Sequence, residues 1–221
     1  MPPLRVRYQT IEFQDVDIHV RSLRDSQEYQ DDDGEAEALA IWSSNWSIFG
    51  VLWDSSLALA RLMNGYEIKG RRILEVGCGL GLPSLLLNKR GADISTTDYH
   101  PEVESFMQAN VTLNDGEDIP FFLADWKNES SESGDSLGTF DLIIASDLLY
   151  ERGHAELLAA FIDRHARPVC EIIIVDPGRG QLGRFGRLMT ALGFCSTALA
   201  PSSQNQTDSE FSGHTERLLR G

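Results

Sequence analysis

The sequence contains few cysteines and no long apolar run. Its three cysteines, Cys78, Cys170 and Cys195, are an odd number and form no C-x-x-C pair, so neither a disulfide framework nor a zinc site is predicted. The five histidines show no metal-ligand spacing. No stretch approaches the roughly 18 apolar residues that a membrane span needs, and no apolar leader core follows Met1. We therefore expect a soluble protein of the reducing cytoplasm that uses neither a metal nor a membrane.

Basic residues are also scarce, with 19 Lys and Arg against 34 Asp and Glu. The formal net charge is −15 and the sequence pI is about 4.6. Nucleic-acid binding draws most of its affinity from Lys and Arg, so no nucleic-acid partner is expected. Solubility alone can explain the acidic excess, and a basic partner protein is the alternative. The composition does not predict an oligomeric state.

What the chain does contain is enough apolar sequence, 42 % of 221 residues, for one α/β domain. Near the N-terminus "LRVRYQTIEF" and "VDIHVRSL" alternate apolar and polar residues, which predicts a β-hairpin that turns near residues 14–15. The acidic stretch at residues 24–38 is interpreted as a solvated linker or mobile loop. We assign the hairpin and this linker to residues 1–45 and the main domain to residues 46–221.

The main domain is predicted to open with a helix and to continue as repeated strand–helix units. Asp54 or Ser55 is the predicted N-cap of the first helix, and Gly65 is its predicted C-cap. The predicted strands after it are "RILEV", "ADISTTD", "IPFFLAD", "FDLIIASD" and "CEIIIVD", with "FCSTALA" and "GHTERLLRG" as weaker candidates. Runs such as "LIIAS" are apolar on both faces, as in buried parallel strands. The polar segments 126–138 and 201–213 are expected to be loops.

A glycine-rich turn joins the first two of these strands in "ILEVGCGLGLPSLLLNKRGADISTTDYH", residues 73–100. Glycines at this place let the backbone approach a ligand at the start of a helix. A dinucleotide fingerprint would be G-x-G-x-x-G/A, but here the pattern is G-x-G-x-G and Leu82 stands at the third glycine. No Gly-Lys-Ser/Thr follows, which excludes a P-loop. The glycines alone leave the ligand open.

Two acidic residues narrow the choice of ligand. Glu75 precedes the first glycine by two residues, where a carboxylate would crowd a pyrophosphate but attract a cation. Asp98 ends the second strand, where an acid can accept from ribose hydroxyls. S-adenosylmethionine carries a sulfonium, an ammonium and a ribose but no phosphate, so it fits both. Alternatively, Glu75 is a solvated acid at a strand end and Asp98 is the N-cap of the next helix.

The same stretch resembles motifs I and II of the class I, seven-β-strand methyltransferases that use S-adenosylmethionine. Three further segments match in order: "GVLWDSSLALA" before the first helix, "LADW" after the third strand, and "ASDLLYE" after the fourth strand. With "VDPGRGQ" at residues 175–181, the chain resembles the family 16 protein methyltransferases, which modify lysines of chaperones, calmodulin, elongation factors and the electron-transfer flavoprotein β-subunit. The resemblance covers roughly residues 49–194.

The resemblance implies a fold and a set of site residues. The fold is a Rossmann-like, doubly wound α/β sheet of about seven strands, ordered 3-2-1-4-5 with an antiparallel pair at the end, with the hairpin and helix extension covering the cofactor. Gly77 and Gly79 would approach the methionine moiety, Glu75 its ammonium, and Asp98 the ribose. The residues implied around the adenine and the rest of the cofactor are Trp53, Tyr99, Asp125, Trp126 and Ala145. The two tryptophans are core residues in the alternative interpretation.

Asp147 and Tyr150 are the implied catalytic residues. Their spacing of three would place both on one side of a helical or turn-like segment. A lysine acceptor has a pKa of ~10.4, so only about one molecule in 10³ is neutral at pH 7, which costs ~4–5 kcal/mol. A carboxylate beside the amine would raise that pKa further, so Asp147 is assigned a positioning role rather than that of a strong base. In the alternative interpretation Asp147 caps the next helix and Tyr150 packs on it.

The predicted function is methyl transfer from S-adenosylmethionine to a protein side-chain nitrogen, with lysine as the first candidate and S-adenosylhomocysteine as the product. A small-molecule methyltransferase, a cofactor-binding partner protein without catalysis, and a dinucleotide enzyme are the alternatives. His100 is expected to be a solvated loop residue. Arg179 either grips an acidic group of the substrate or is a loop cation. Trp42 and Trp46 are candidates for the core or for a substrate channel.

Overall fold

The computed structural model of the chain describes residues 4–39, 41–127, 137–199 and 211–221. The strands in this part are β1 (Val6–Glu12), β2 (Asp17–Leu23), β3 (Arg72–Val76), β4 (Asp93–Asp98), β5 (Phe121–Leu123), β6 (Phe140–Ser146), β7 (Ala166–Asp176), β8 (Cys195–Thr197) and β9 (His214–Arg220). The helices are α1 (Glu35–Ala38), α2 (Asp54–Asn64), α3 (Leu82–Lys89), α4 (Val103–Leu113), α5 (His154–His165) and α6 (Leu182–Ala191). Much of the predicted loops at 126–138 and 201–213 lies outside the described residues.

The strands from β3 onward form one seven-stranded sheet in the order β5-β4-β3-β6-β7-β9-β8. Strands β3 to β7 run parallel to one another. Strand β9 is antiparallel to both β7 and β8. The fold is therefore the predicted Rossmann-like α/β sheet with an antiparallel pair at one edge. Because the central strands are parallel, their carboxyl ends meet at one edge, where doubly wound folds place their ligands.

The central strands are buried on both faces because helices cover each side of the sheet. Leu142 and Ile144 of β6 belong to the core formed with α2, α3 and α4. Ile143 and Ala145 belong to the opposite core with α5 and α6. This alternation follows from the period of two in a strand, and it explains why the strand sequences are apolar throughout.

The predicted N-terminal hairpin is present, and its second strand docks onto helix α4. Ile18, Val20 and Leu23 of β2 are buried in the core that lies against α4. Asn110 of α4 and Asn114, which is the C-cap of α4, hydrogen-bond the free edge of β2 through their side-chain amides. Two helix side chains thus replace a neighbouring strand. The domain boundary at residue 45 stays a prediction.

The acidic stretch after the hairpin is folded against the main domain rather than wholly solvated. Its last part forms the short helix α1, which the sequence analysis did not predict. The carboxylate of Asp31 accepts hydrogen bonds from the backbone N–H groups of Ala36 (3.0 Å) and Glu37 (2.7 Å) at the start of this helix. Tyr29 packs edge-on against Phe49, with ring centroids 5.5 Å apart.

Helix α2 ends close to its predicted limits. The N-cap of α2 is Trp53, one residue before the first predicted N-cap, Asp54, and the C-cap is Gly65 as predicted. Within the described ranges, every helix is too short or too polar to cross a bilayer.

Candidate active site

The loops after β3 and β6 touch each other at the carboxyl edge of the sheet. Gly77, directly after β3, has a φ of 62°, a conformation that favours glycine. A Cβ at this position would collide with the side chain of Leu148, which follows Asp147 in the loop after β6. Glycine is therefore required at residue 77 both for its backbone conformation and for the close approach of the two loops.

Asp98, at the end of β4, is held by three backbone donors. Its Oδ2 accepts from the N–H of Gly79 (2.9 Å), and its Oδ1 accepts from the N–H groups of Tyr99 (2.7 Å) and His100 (2.9 Å). Burial raises the pKa of this carboxyl, and the three N–H groups oppose that rise. A carboxylate offers about four acceptor positions, so one remains for a hydroxyl donor. Asp98 is not the N-cap of α4, since Glu102 occupies that position.

Glu75 is a buried residue and not a solvated strand end, with only 1 % of its surface exposed. Its Oε2 accepts hydrogen bonds from both the backbone N–H (3.1 Å) and the hydroxyl of Ser84 in the first turn of α3. The N-cap of that helix is Gly81, which has no side-chain oxygen, so Glu75 supplies the missing acceptor. Burial raises the pKa of Glu75 to about 8. The sequence analysis did not identify Ser84 as a partner of Glu75, because no local pattern predicts a hydrogen bond between a strand residue and this position of the helix.

The segment after Asp98 is tied to the N-terminal part of the chain. The hydroxyl of Tyr99 donates to the carbonyl of Leu39. His100 is buried and stacks on Phe49 with ring centroids 4.1 Å apart, so its prediction as a solvated loop residue is wrong. Its Nδ1 accepts from the N–H of Glu102 (3.2 Å), and burial lowers its pKa to about 4. No local pattern around His100 predicts that an aromatic ring packs on it.

The other residues implied around the adenine lie on three separate segments. Trp53 caps α2 and donates its indole N–H to the carbonyl of Ile48 (3.0 Å). Asp125 follows β5, where its Oδ1 accepts from the N–H of Lys127 (2.9 Å). Ala145, near the end of β6, is fully buried in the core. Their roles toward a cofactor stay predictions.

His154, which the sequence analysis left unassigned, lies between two predicted site residues. Its ring centroid is 5.7 Å from that of Trp126 and 4.8 Å from that of Tyr150, with edge-to-face geometry in both cases. Next to Tyr150, Glu151 accepts a hydrogen bond from the side-chain amide of Asn45 (3.0 Å). These contacts join the segment after β5, the loop after β6 and the N-terminal segment.

Asp147, directly after β6, has an unusual backbone conformation for a residue other than glycine, with a φ of 55°. Its N–H donates to the carbonyl of Val175 (2.9 Å), and its Oδ2 accepts from the guanidinium of Arg179 (3.0 Å). Its Oδ1 is buried and has no hydrogen-bond partner in the described part of the chain. Burial raises the pKa of this carboxyl, Arg179 opposes the rise and Asp176 adds to it.

Of the two arrangements predicted for the loop after β6, helical or turn-like, the structure does not have the helical one. Residues 147–150 form no helix, and the N-cap of α5 is Gly153 rather than Asp147. Asp147 therefore contacts Arg179 while Tyr150 turns its ring to His154. Trp42 is 75 % exposed and is not a core residue.

The residues at this edge fit S-adenosylmethionine better than a phosphate-bearing ligand. Segments 73–88 and 91–126 contain no Lys or Arg that could pair with a phosphate. They instead supply Glu75 and Asp98, carboxyl groups suited to a cation and to ribose hydroxyls. Among the described residues, no group of three His, Cys, Asp or Glu side chains is arranged to hold a metal ion.

Comparison with known proteins gives relatives in sequence and neighbours in fold. A histidine protein methyltransferase 1 homolog from Dictyostelium discoideum is 30 % identical over 119 residues, which cover 52 % of this chain and 38 % of the relative. An electron transfer flavoprotein beta subunit lysine methyltransferase from Xenopus laevis is 26 % identical over 145 residues, 64 % of this chain and 56 % of the relative. The chain thus spans about half of the curated relatives it matches.

The fold is shared with solved methyltransferases. The structure of a 16S rRNA N2 G1207 methyltransferase from T. thermophilus, in complex with AdoMet and guanosine, has a TM-score of 0.63 at 15 % identity. The matched region covers 99 % of this chain and 52 % of the chain of that methyltransferase. At this sequence identity the similarity concerns the fold alone. The profile of a family described as lysine methyltransferase matches residues 29–180. The chain therefore belongs to the lysine methyltransferase family.

Proposed function

We propose that this chain is an S-adenosylmethionine-dependent methyltransferase that modifies a side-chain nitrogen of a protein, with lysine as the acceptor. The observation that carries the proposal is the buried Oδ1 of Asp147, which has no donor among the residues that the structure describes and lies at the edge where the glycine loop lies. A buried acceptor without a partner is costly, so a donor from a ligand is favoured there. Family membership supports the same reaction.

The cofactor side of the site uses backbone and carboxyl groups. S-adenosylmethionine, when bound, supplies an electrophilic methyl group on a sulfonium. Asp98 would accept from its ribose, Gly77 and Gly79 would let the backbone approach, and Glu75 would face the cationic end. Its remaining contacts are assigned to Trp53, Tyr99, Asp125, Trp126 and Ala145. None of these groups repels a cation, and segments 73–88 and 91–126 contain no Lys or Arg.

The acceptor side orients an amine rather than deprotonating it. Asp147 would accept one N–H of the amine and fix the direction of the nitrogen lone pair. Tyr150, which is 39 % exposed, would flank the aliphatic stem of the lysine. The amine must first lose a proton to solvent, and holding it in line with the methyl group then supplies most of the acceleration.

The partner is proposed to be a protein with a basic or lysine-bearing surface, in keeping with a net charge of −15. Cytoplasmic location and the absence of a nucleic-acid partner stay predictions of the sequence. A histidine nitrogen is the second candidate acceptor, because the Dictyostelium relative is named as a histidine protein methyltransferase.

The test uses methyl-labelled S-adenosylmethionine, the purified protein and an extract of its own cells. Label in a discrete band that protease removes and ribonuclease leaves is the expected result. Label lost to ribonuclease would overturn the protein acceptor. Label confined to small molecules would support a metabolite acceptor, and cofactor binding without any transfer would indicate a non-catalytic role.

A further inference from the structure

We propose that Arg179 is a positioning residue: by pairing with one oxygen of Asp147 it keeps that carboxylate ionised and leaves the other oxygen for an N–H of the substrate amine. The inference deepens the proposed function of the same site and rests on it. It assigns Arg179, whose sequence context left its role open, to the protein's own carboxylate rather than to an acidic group of the substrate.

The geometry divides the two oxygens of Asp147 between two tasks. Oδ2 accepts from Nη2 of Arg179 at 3.0 Å, while Oδ1 is buried and has no partner among the described residues. The Asp147 side chain is only 10 % exposed, so solvent cannot readily satisfy Oδ1. One charge-assisted bond therefore fixes the carboxylate and one acceptor remains for a donor that arrives with the substrate.

Arg179 is held by its backbone while its side chain stays accessible. The N–H groups of Gly178 (2.7 Å) and Arg179 (3.2 Å) both donate to Oδ1 of Asp176 at the end of β7. Gly178 and Gly180 have φ values of 95° and 87°, so the loop makes its tight path on either side of the arginine. The guanidinium is 45 % exposed and lies on the rim of the site.

Arg179 opposes the other influences on Asp147. Burial and the neighbouring Asp176 both raise the pKa of Asp147, and Arg179 lowers it. Tyr150, from the same loop, is neutral because burial raises its pKa to about 12, and Glu151 beside it adds negative charge. Without Arg179, the carboxyl would bind a proton more readily and could not accept from the amine.

The loss of Arg179 would also act on the substrate. An unpaired carboxylate raises the pKa of an adjacent amine, and a neighbouring cation lowers it. The reactive state needs an ionised Asp147 and a neutral amine. Without Arg179, the pKa of Asp147 and the pKa of the amine both rise. Both changes move the acidic limb of the profile of kcat/KM against pH toward higher pH.

The kinetic arm compares Arg179→Met with Arg179→Lys over pH 6–10. The Met variant is expected to shift the acidic limb of kcat/KM upward by about one pH unit and to lower kcat/KM at pH 7 about tenfold, with cofactor affinity unchanged. The Lys variant, which keeps a cation, should restore most of the profile. Arg184→Met is the matched control, because Arg184 pairs with Glu156 on α5, away from Asp147. An unshifted limb in Arg179→Met would overturn the inference.

A second arm needs no turnover. Carboxyl carbons of labelled aspartates are titrated by NMR, and Asp147→Asn identifies the Asp147 signal. The pKa of Asp147 is expected to rise by about one unit in Arg179→Met and to stay in place in Arg184→Met. An unchanged pKa would overturn the inference whatever the activity. Failure of the wild type to methylate any acceptor would instead overturn the proposed function, so the two failures are distinguishable.

Discussion

At the scale of single residues, the carboxyls of the buried Glu75 and the partly buried Asp147 face opposite demands. Glu75 is hydrogen-bonded to Ser84 at the start of α3, and its pKa is raised to about 8. Asp147 is paired with a guanidinium, but one of its oxygens has no donor in the described part of the chain. Glu75 can therefore stay protonated at neutral pH until a cation arrives, whereas Asp147 is stabilised as a carboxylate by Arg179.

Glu75→Gln should remove a pH-dependent cost of folding. A carboxyl whose pKa is higher in the folded state is stabilising below its unfolded pKa, near 4.5, and that contribution is lost as pH rises toward 8. The free energy of unfolding of the variant, relative to wild type, should therefore increase between pH 5 and pH 8, with a slope approaching about 1.4 kcal/mol per pH unit. Urea unfolding at several pH values measures it.

Glu171→Gln is the control of opposite sign for this prediction. Glu171 is also buried, but hydrogen bonds from Tyr66, Arg217 and Arg71 outweigh the effect of burial and lower its pKa. Its contribution should be lost only as pH falls below about 4.5. If both variants gave the same pH dependence, the raised pKa of Glu75 would be contradicted.

Asp147→Asn should separate binding from turnover. The amide keeps the shape of the side chain and tolerates a positive φ, but it is uncharged and a weaker partner for both Arg179 and an amine. Turnover should fall about 100-fold or more, as for loss of an orienting group, while the Kd for S-adenosylmethionine changes little. Initial rates and calorimetric binding measure the two quantities.

Asp163→Asn controls for the loss of one negative charge, since Asp163 pairs with Arg220 at the surface of α5. Equal losses of turnover and cofactor affinity in Asp147→Asn would show that Asp147 supports the cofactor site instead of the acceptor.

At the scale of elements, the sequence predicts what is encoded locally. The apolar runs of β6 and β7 and the glycine turn after β3 are local patterns, and they were placed correctly. The partners of polar side chains are non-local: Asp147 and Arg179 are 32 residues apart, and Asn114 and His19 are 95 apart. Such pairs depend on tertiary packing, and one sequence carries no signal for them.

The burial of His100 illustrates the same limit. Its neighbours in sequence do not predict burial. The fold of the N-terminal segment nevertheless places Phe49 and Tyr29 against its ring. The helix α1 was missed for a related reason. Its sequence is acidic, and it is stabilised by Asp31, which caps it, and by the packing of Ala36.

Asn114→Ala should loosen the docking of the hairpin onto α4. Asn114 bonds both backbone groups of His19, and removal of its amide leaves that N–H and C=O without these partners. We expect a loss of about 1–3 kcal/mol in the free energy of unfolding. Hydrogen exchange should accelerate most at the amide of His19 and less at that of Arg21, which Asn110 still binds.

Thr112→Ala is the control, because among the described residues the Thr112 hydroxyl donates only within its own helix, to the carbonyl of Gln108. Uniform acceleration of exchange across the whole sheet in Asn114→Ala would indicate global destabilisation and contradict a local docking role.

At the scale of the whole molecule, two cores on either side of one sheet hold the site at the carboxyl edge. The hairpin packs on α4, while Leu39 at the end of α1 and Asn45 accept from and donate to residues in the loops after β4 and β6. The segment between the hairpin and α2 therefore contacts both of these loops. A net charge of −15 predicts a basic partner rather than nucleic acid, and this stays a prediction of the sequence.

The acceptor atom is the most direct test of the central claim. The labelled protein band from the cell extract would be digested, and the methylated residue would be located by tandem mass spectrometry, with Asp147→Asn as the inactive comparison. The account predicts methyl groups on the side-chain nitrogen of a lysine, present with wild type and absent with the variant. Methyl groups on a histidine, on RNA or on a metabolite would contradict lysine methylation by this chain.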